Sequence, residues 1–89
     1  MKIHELWTDE SKWCRNANAR NVHGAVVDPL DPNATQWCLK GATMKCYPAG
    51  TEYLAVINRI RESIQPSETQ FNDFNTFAIV KKLVTHLDI

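Results

Sequence analysis

The chain has 89 residues, of which ten are Lys or Arg, ten are Asp or Glu and three are Cys. This length predicts a single domain over residues 1–89, with a small core that association with a second copy could help to stabilise. The balanced charge lacks the basic excess of a nucleic-acid binder, and no apolar run approaches the ~20 residues that cross a membrane. An odd number of cysteines without a C-x-x-C pair favours free thiols in a reducing cytoplasm.

The first fourteen residues predict two short helical pieces. Ile3, Leu6 and Trp7 have the spacing of one helical turn, and Asp9 stands where a cap would open a second piece. Because isolated helices of this length are unstable in water, both pieces must pack against later elements.

Residues 15–28 have a different pattern, in which Asn alternates with small apolar residues. This period near two favours strands, and the segment from Asn21 to Gly24 has turn chemistry. We therefore predict a small β-hairpin within about 17–28, in which residues 17–20 pair with residues 25–28. Two strands this short need support from a helical body.

The next stretch predicts the central helix, at about 33–46. Asn33 is placed to cap it, behind the stiff connector that ends at Pro32. Five residues fall on one face at helical spacing: Ala34, Trp37, Cys38, Gly41 and Ala42. A glycine inside a helix costs about 0.5–1 kcal/mol relative to alanine, so Gly41 predicts a close approach of another segment.

Two further helices are predicted, at about 51–64 and about 74–87. Thr51 is expected to cap the first, and Asp73 is expected to cap the second. Residues 68–75 between them form a predicted polar loop with two aromatic residues. The fold class is therefore mainly α, with three principal helices, a short N-terminal helical turn and a small β-hairpin.

Three motifs occur together in this order: Ala19-Arg20-Asn21 followed by Gly24, Trp37-Cys38 followed by Gly41-Ala42, and Phe71-Asn72-Asp73. This combination resembles a family of small, functionally uncharacterised domains found in bacteria and their phages. The signature of that family is Ala-Arg-Asp-x-x-Gly, Trp-Cys-x-x-Gly-Ala and Phe-Asn-Asp or Trp-Asn-Asp.

The similarity extends from Trp13 to the C-terminus, although this chain has Asn21 where the family has Asp and fewer residues before Trp13. The resemblance implies a mostly helical domain with a small β element, in the host cytoplasm if the chain is encoded by a phage. It implies no activity, because the family has none assigned.

The candidate ligand-binding residues are Arg20, Asn72 and Asp73. The guanidinium of Arg20 can bind a carboxylate or another anion, and the loop around Asn72 combines amides, a carboxylate and aromatic rings. Two structural alternatives stay open. Asp73 can serve only as a helix cap, and Arg20 can pair with an acidic residue such as Asp28, Asp31 or Asp73.

The cysteines allow two further hypotheses. Cys38 could be a nucleophile with His23 as its base and Asp73 as the orienting group, or a small buried residue beside Gly41. A mixed zinc site could be formed by Cys14, His23, Cys38 and Cys46, although their spacing matches no known finger or knuckle.

From the sequence we expect the protein to be a non-enzymatic binding or interaction module that engages a host protein or a small ligand. We expect no cofactor, no metal, no nucleic-acid partner and no membrane contact. The alternative is a small enzyme that uses Cys38 with His23 and Asp73. An enzyme should place a reactive Cys38 in a pocket, whereas an interaction module should expose apolar side chains.

Overall fold

The computed structural model describes residues 1–64 and 67–89. The elements are α1 (Ile3–Leu6), a 3-10 helix (Glu10–Lys12), β1 (Ala19–Asn21), β2 (Ala34–Trp37), α2 (Leu39–Cys46), α3 (Gly50–Ser63), α4 (Glu68–Phe74) and α5 (Phe77–Leu87). The chain is mainly helical with one small antiparallel sheet, so the predicted fold class is confirmed at that level. The helices of the described residues are more numerous than the three principal ones predicted. None of them is long and apolar enough to cross a membrane.

The N-terminal segment forms the two short pieces that its pattern predicts. The side chain of Asp9 accepts a hydrogen bond from the backbone N–H of Ser11 at 2.8 Å and so caps the 3-10 helix. Lys81 of α5 donates to the carbonyl oxygens of His4, inside α1, and of Trp7, the residue after this helix. Helix α5 therefore holds α1, whereas the 3-10 helix is tied to β2, because Gln36 donates to the carbonyl oxygen of Ser11.

The predicted hairpin has the right turn but the wrong principal partner. Asn21 begins the turn, where its side-chain oxygen accepts the backbone N–H groups of His23 and Ala25, and Gly24 has a φ of 81°. The strand that pairs with β1 along its length is β2, whereas residues 25–28 form one bridge to it, between Val26 and Arg20. At this bridge the backbone N–H groups of Asn21 and Val27 donate to the carbonyl oxygens of Ala25 and Ala19. Residues 22–33 therefore form a long connection between the two strands.

The helix predicted at about 33–46 is wrong in its first six residues, because α2 begins at Leu39. Asp31 accepts the N–H of Asn33 on its side chain and that of Ala34 on its carbonyl oxygen, which makes a turn in place of a capped helix. The following residues then pair with β1, where residues such as Thr and Trp are favoured. Ala34 and Trp37 consequently share no helical face with Gly41 and Ala42.

The prediction of a close approach at Gly41 is confirmed. A Cβ at this position would overlap the carbonyl oxygen of Asn18. Asn18 belongs to the loop before β1, and this loop crosses the start of α2. Only a residue without a side chain fits at this crossing.

The C-terminal prediction is correct for α3 and wrong in its last part. The helix α3 runs within one residue of the predicted bounds, but its N-cap position is Ala49 and no side chain caps it. The stretch predicted as a loop is α4, capped by Ser67, and α5 begins after its own cap, Thr76. Asp73 lies inside α4 and so does not cap α5.

The core collects apolar side chains from the α-helices, with the partly buried Phe71 as the contribution of α4, together with residues from the sheet and both ends of the chain. The rings of Trp7 and Trp13 both contact Phe77, with centroid separations of 6.0 and 5.8 Å. Ile89 is also buried, and its carbonyl oxygen accepts the backbone N–H of Ile3. The buried aliphatic residues of this core include Ile3, Leu39, Val56, Ile57, Ile60, Val80 and Val84.

Candidate functional site

The side chain of Asn72 lies at the centre of the predicted site and is fully buried. Its amide oxygen accepts the indole N–H of Trp13 at 2.6 Å and the backbone N–H of Leu39 at 3.0 Å. Its amide nitrogen donates to the carbonyl oxygen of Cys14 and to a carboxylate oxygen of Asp73, both at 3.0 Å. Two acceptor sites and two donors are the whole capacity of an amide side chain, so Asn72 has none left for a ligand.

These four bonds join three separate parts of the chain. Trp13 and Cys14 precede β1, Leu39 is the first residue of α2, and Asn72 itself belongs to α4. The bond to Leu39 satisfies one of the backbone N–H groups that the start of a helix leaves unpaired. Asn72 therefore positions the surrounding segments, and no ligand can reach its side chain without opening them.

Asp73 fastens the loop between Cys14 and Asn18 to α4. The carboxylate oxygen that accepts from Asn72 also accepts the backbone N–H of Asn16 at 3.2 Å, where Asn16 has a φ of 62°. Two residues further on, the carbonyl oxygen of Asn18 accepts the backbone N–H of Cys38 at 3.2 Å. The loop is thus held across the start of α2 from both sides.

Arg20 does not join Asn72 and Asp73. Its guanidinium donates to the carbonyl oxygen of Gly24 at 2.9 Å and to that of Arg15 at 3.3 Å. The alternative pairing of Arg20 with Asp28, Asp31 or Asp73 is absent from the described residues. In this position Arg20 braces the turn after β1.

A groove opens where this loop meets α2 and α4. We call it the Asp73 groove, and it is lined by Asn16, Ala17, Asn18, Cys38, Thr69 and Asp73. Its volume is about 440 Å³. Among these lining residues Asp73 is the only charged one, and all of the others except Ala17 offer amide, hydroxyl or thiol groups. The groove can accordingly accept a polar ligand of positive charge.

Cys38 lies at the wall of this groove and has a structural role there. It is the N-cap residue of α2, where its sulfur accepts the backbone N–H of Gly41 at 3.3 Å. Its thiol is 3.7 Å from the side-chain oxygen of Asn18, and only 3% of the residue is exposed. Burial raises the pKa of the Cys38 thiol and outweighs the hydrogen bond from Gly41. A thiol in this state supplies little thiolate at neutral pH.

The hypothetical triad does not come together in one place. Cys38 and Asp73 both line the Asp73 groove, whereas His23 lies in the turn after β1 and lines a different cleft. Among the described residues, the hydrogen bond of His23 is made by its backbone N–H and not by its imidazole. The base and the nucleophile of the enzyme hypothesis therefore face different openings.

The four hypothetical zinc ligands do not come together: Cys14 and Cys38 are neighbours, but Cys46 and His23 lie elsewhere. Cys14 precedes the loop, Cys46 ends α2, and His23 is in the turn. Within residues 1–64 and 67–89 no three His, Cys, Asp or Glu side chains are grouped so that they could hold a metal ion. Burial raises the pKa of Cys14 and that of Cys46 to about 11.

A second and larger opening runs beside β2 and was not predicted from the sequence. We call it the β2 cleft; its volume is about 740 Å³, and it is lined by Leu6, Ser11, Lys12, Asn21, Val22, His23, Gly24, Ala34, Thr35, Gln36 and Trp37. The sequence offered one usable signal, the Thr-Gln-Trp segment before Cys38, which favours a strand. Because that segment was predicted to be helical, the edge of β2 beside the cleft was not predicted.

No protein-family model matches the chain, and no curated protein and no solved structure is detectably similar to it. The function is therefore inferred from the geometry of the Asp73 groove and the β2 cleft.

Proposed function

We propose that this protein is a non-enzymatic binding module, which engages a host protein or a small ligand by taking a cationic group into the Asp73 groove. The observation that carries this proposal is the state of the Asp73 carboxylate. One of its oxygens holds Asn72 and the loop at Asn16. Within residues 1–64 and 67–89 its other oxygen has no hydrogen bond, and Asp73 has no ion pair. The resemblance to a family of bacterial and phage domains supports a host protein as the partner.

The size and chemistry of the groove support a small cationic group. About 440 Å³ is within the volume range of small-molecule sites. An ammonium or guanidinium group would pair with the free oxygen of Asp73 while Asn16, Asn18 and Thr69 supply further hydrogen-bonding groups. The same group can come from a free amine or from a Lys or Arg side chain of a partner protein.

The alternative proposal, a small enzyme that uses Cys38 with His23 and Asp73, has less support. Only Cys38 and Asp73 share a groove, and burial raises the pKa of Cys38. The binding proposal requires neither an imidazole base near Cys38 nor a thiolate. It requires only that the Asp73 groove remain open to a ligand.

The experiment that tests the proposal is a titration of the isotope-labelled protein followed by backbone amide NMR. The probes are agmatine, as a free cationic ligand, and an acetylated Gly-Arg-Gly amide peptide, as a partner side chain. We expect shifts at Asn16, Asn18 and Thr69, and a ratio of the two affinities that identifies the source of the group. Citrate is the anionic control and should leave these amides unchanged.

The matched variants are Asp73→Asn and Glu62→Gln. Asparagine at position 73 retains an oxygen for Asn16 and Asn72 while it removes the charge, so the fold should persist and binding of the cationic probes should be lost. Glu62 is an exposed carboxylate on α3 that lines none of the grooves described above, and its neutralisation should leave binding unchanged. Equal binding by wild type and Asp73→Asn would refute the proposal.

A further inference from the structure

We propose a second interaction surface: the β2 cleft binds an extended acidic peptide segment of a partner protein, which adds a strand to the outer edge of β2. This surface is separate from the Asp73 groove, since the two share no lining residue. The inference depends on three features of the cleft, namely a strand edge, a basic lining and a suitable shape.

The first feature is the edge of β2. On one side β2 pairs with β1 along its length. On the other side, among the described residues, its pairing is a single parallel bridge at Trp37, where the carbonyl oxygen accepts the backbone N–H of Cys14 at 3.3 Å. From Ala34 to Gln36 this outer side has no strand partner. A strand edge without a partner strand is a template for an added strand.

The second feature is the charge of the lining. Lys12 and His23 are its two basic residues, and none of the residues that line the cleft is acidic. Neither side chain forms an ion pair within residues 1–64 and 67–89. The nearby carboxylate of Asp9 is occupied by the backbone N–H and the hydroxyl of Ser11. A carboxylate of a partner would therefore be complementary to Lys12, with His23 as a further donor.

The third feature is the shape of the opening. The turn from Asn21 to Gly24 borders one side, and the 3-10 helix borders the other through Ser11 and Lys12. Gln36 joins the strand to that helix by donating to the carbonyl oxygen of Ser11 at 3.2 Å. A peptide in strand conformation rises about 3.3 Å per residue and directs alternate side chains to opposite sides. Its acidic side chains at alternate positions would face the cleft together.

The test uses an acetylated Glu-Val-Glu-Val-Glu amide peptide, titrated into the isotope-labelled full chain. We expect shifts at the backbone amides of Thr35 and Gln36 and no shifts at Asn16 or Thr69. The same peptide with both valines N-methylated loses backbone donors and should bind at least tenfold more weakly. A Lys-Val-Lys-Val-Lys peptide tests the charge, and glutarate tests for a site that takes any small dicarboxylate.

The protein variants separate this surface from the Asp73 groove. Lys12→Gln should weaken binding of the acidic peptide by about threefold, the size expected for one exposed ion pair. Lys82→Gln removes an exposed lysine on α5, outside the cleft, and should have no effect. Asp73→Asn should also have no effect, so failure of one proposal can be told from failure of the other.

Several outcomes would overturn the inference. Equal affinity for the basic peptide would refute the charge argument, and unchanged affinity after N-methylation would refute strand addition. If glutarate shifted the same amides with the same affinity as the peptide, the cleft would be a site for small anions and not for a strand. No shift at Thr35 and Gln36 with any probe would mean that the edge of β2 binds no strand.

Discussion

The helical half of the molecule and its loop-and-strand half are held together by different interactions. In the helical half, formed by α3 and α5, the buried side chains are apolar, as with Ile57, Ile60 and Val84. In the loop-and-strand half, residues 13–38, Trp13, Ala19 and Trp37 are also buried in the core, and hydrogen bonds of side chains join the segments. The indoles of Trp13 and Trp37 donate to Asn72 and to the carbonyl oxygen of Pro29. The helices α2 and α4 lie between the two halves.

Because of this difference, the two halves should differ in how well they tolerate amino-acid substitutions. Apolar packing depends on volume and shape, so a core of this kind accepts changes that conserve volume. A buried hydrogen-bond network depends on the match of every donor with an acceptor, and one mismatch leaves a group without a partner in a dry environment. Both openings border the loop-and-strand half. Binding surfaces here are therefore positioned by the less tolerant part of the molecule.

The largest expected effect is that of Asn72→Asp. The substitution conserves size but replaces the two donors with a carboxylate, which would face the carbonyl oxygen of Cys14 and the carboxylate of Asp73. We expect the free energy of unfolding at neutral pH to fall by about 3–5 kcal/mol, the cost of an uncompensated buried charge. Urea denaturation followed by tryptophan fluorescence measures this loss.

Two controls make this prediction a test of the comparison between the halves. Asn58→Asp on α3 is the same chemical change at an exposed position, and it should alter stability by less than about 0.5 kcal/mol. Ile60→Leu is a volume-conserving change in the helical half, and it should cost less than about 1.5 kcal/mol. A larger loss for Ile60→Leu than for Asn72→Asp would contradict the proposed difference.

The same difference explains which parts of the fold could be predicted from the sequence. The pattern of α3 gave its bounds within one residue, because a single helical face covers one apolar core. The segment Ala34–Trp37 was assigned to a helix, because its residues also fit a helical face. Its actual partner, β1, is 13 or more residues away in the sequence, and no local pattern records such a pairing.

The candidate site was predicted in part for the same reason. The polar residues Asn72 and Asp73 do lie together, and Gly41 does mark a close approach. Whether a polar side chain faces inward or outward depends on the segments packed around it. Asn72 is therefore buried and positions the neighbouring segments, and Arg20 stabilises the turn after β1. The β2 cleft was missed because it depends on a strand edge that only the tertiary structure creates.

The second prediction concerns the crossing at Gly41. Gly41→Ala adds a methyl group where the carbonyl oxygen of Asn18 lies, and this atom belongs to a backbone that Asp73 and Cys38 already hold. We expect a loss of about 1–3 kcal/mol, despite the higher helix propensity of alanine. The matched control is Gly50→Ala in α3, where an added Cβ would meet no atom within 4 Å. Equal thermal stability of the two variants would contradict the close crossing.

The third and smaller effect is a pH dependence at the contact between α3 and α4. Arg61 donates to both carboxylate oxygens of Glu68, at 3.1 and 3.2 Å, and this pairing lowers the pKa of the buried Glu68 carboxyl. A carboxyl with a lowered folded-state pKa stabilises the fold above its unfolded-state pKa, and this contribution is lost as pH falls through the folded value.

The measurement compares wild type with Glu68→Gln by urea denaturation at several pH values. We expect wild type to be the more stable at neutral pH, and the difference to shrink as the pH falls below about 4. Asp9 and Asp88, whose pKa values are also lowered, are present in both proteins and cancel in the difference. A difference that stays constant from neutral to acidic pH would show that the Glu68–Arg61 pair does not act in this way.

The smallest expected effect is that of Cys38→Ser, which tests whether the network needs a thiol or only a hydrogen-bonding group. The sulfur of Cys38 accepts the backbone N–H of Gly41 and lies near Asn18. A serine hydroxyl can make both contacts and is a preferred N-cap group, so we expect stability to change by less than about 0.5 kcal/mol. Cys38→Ala removes the cap and should cost about 1 kcal/mol.

Thiol labelling of the native wild type should modify Cys38 more slowly than a model thiol, because its pKa is raised and its side chain is buried. Rapid labelling of Cys38 at neutral pH would instead favour a reactive cysteine and return support to the enzyme hypothesis.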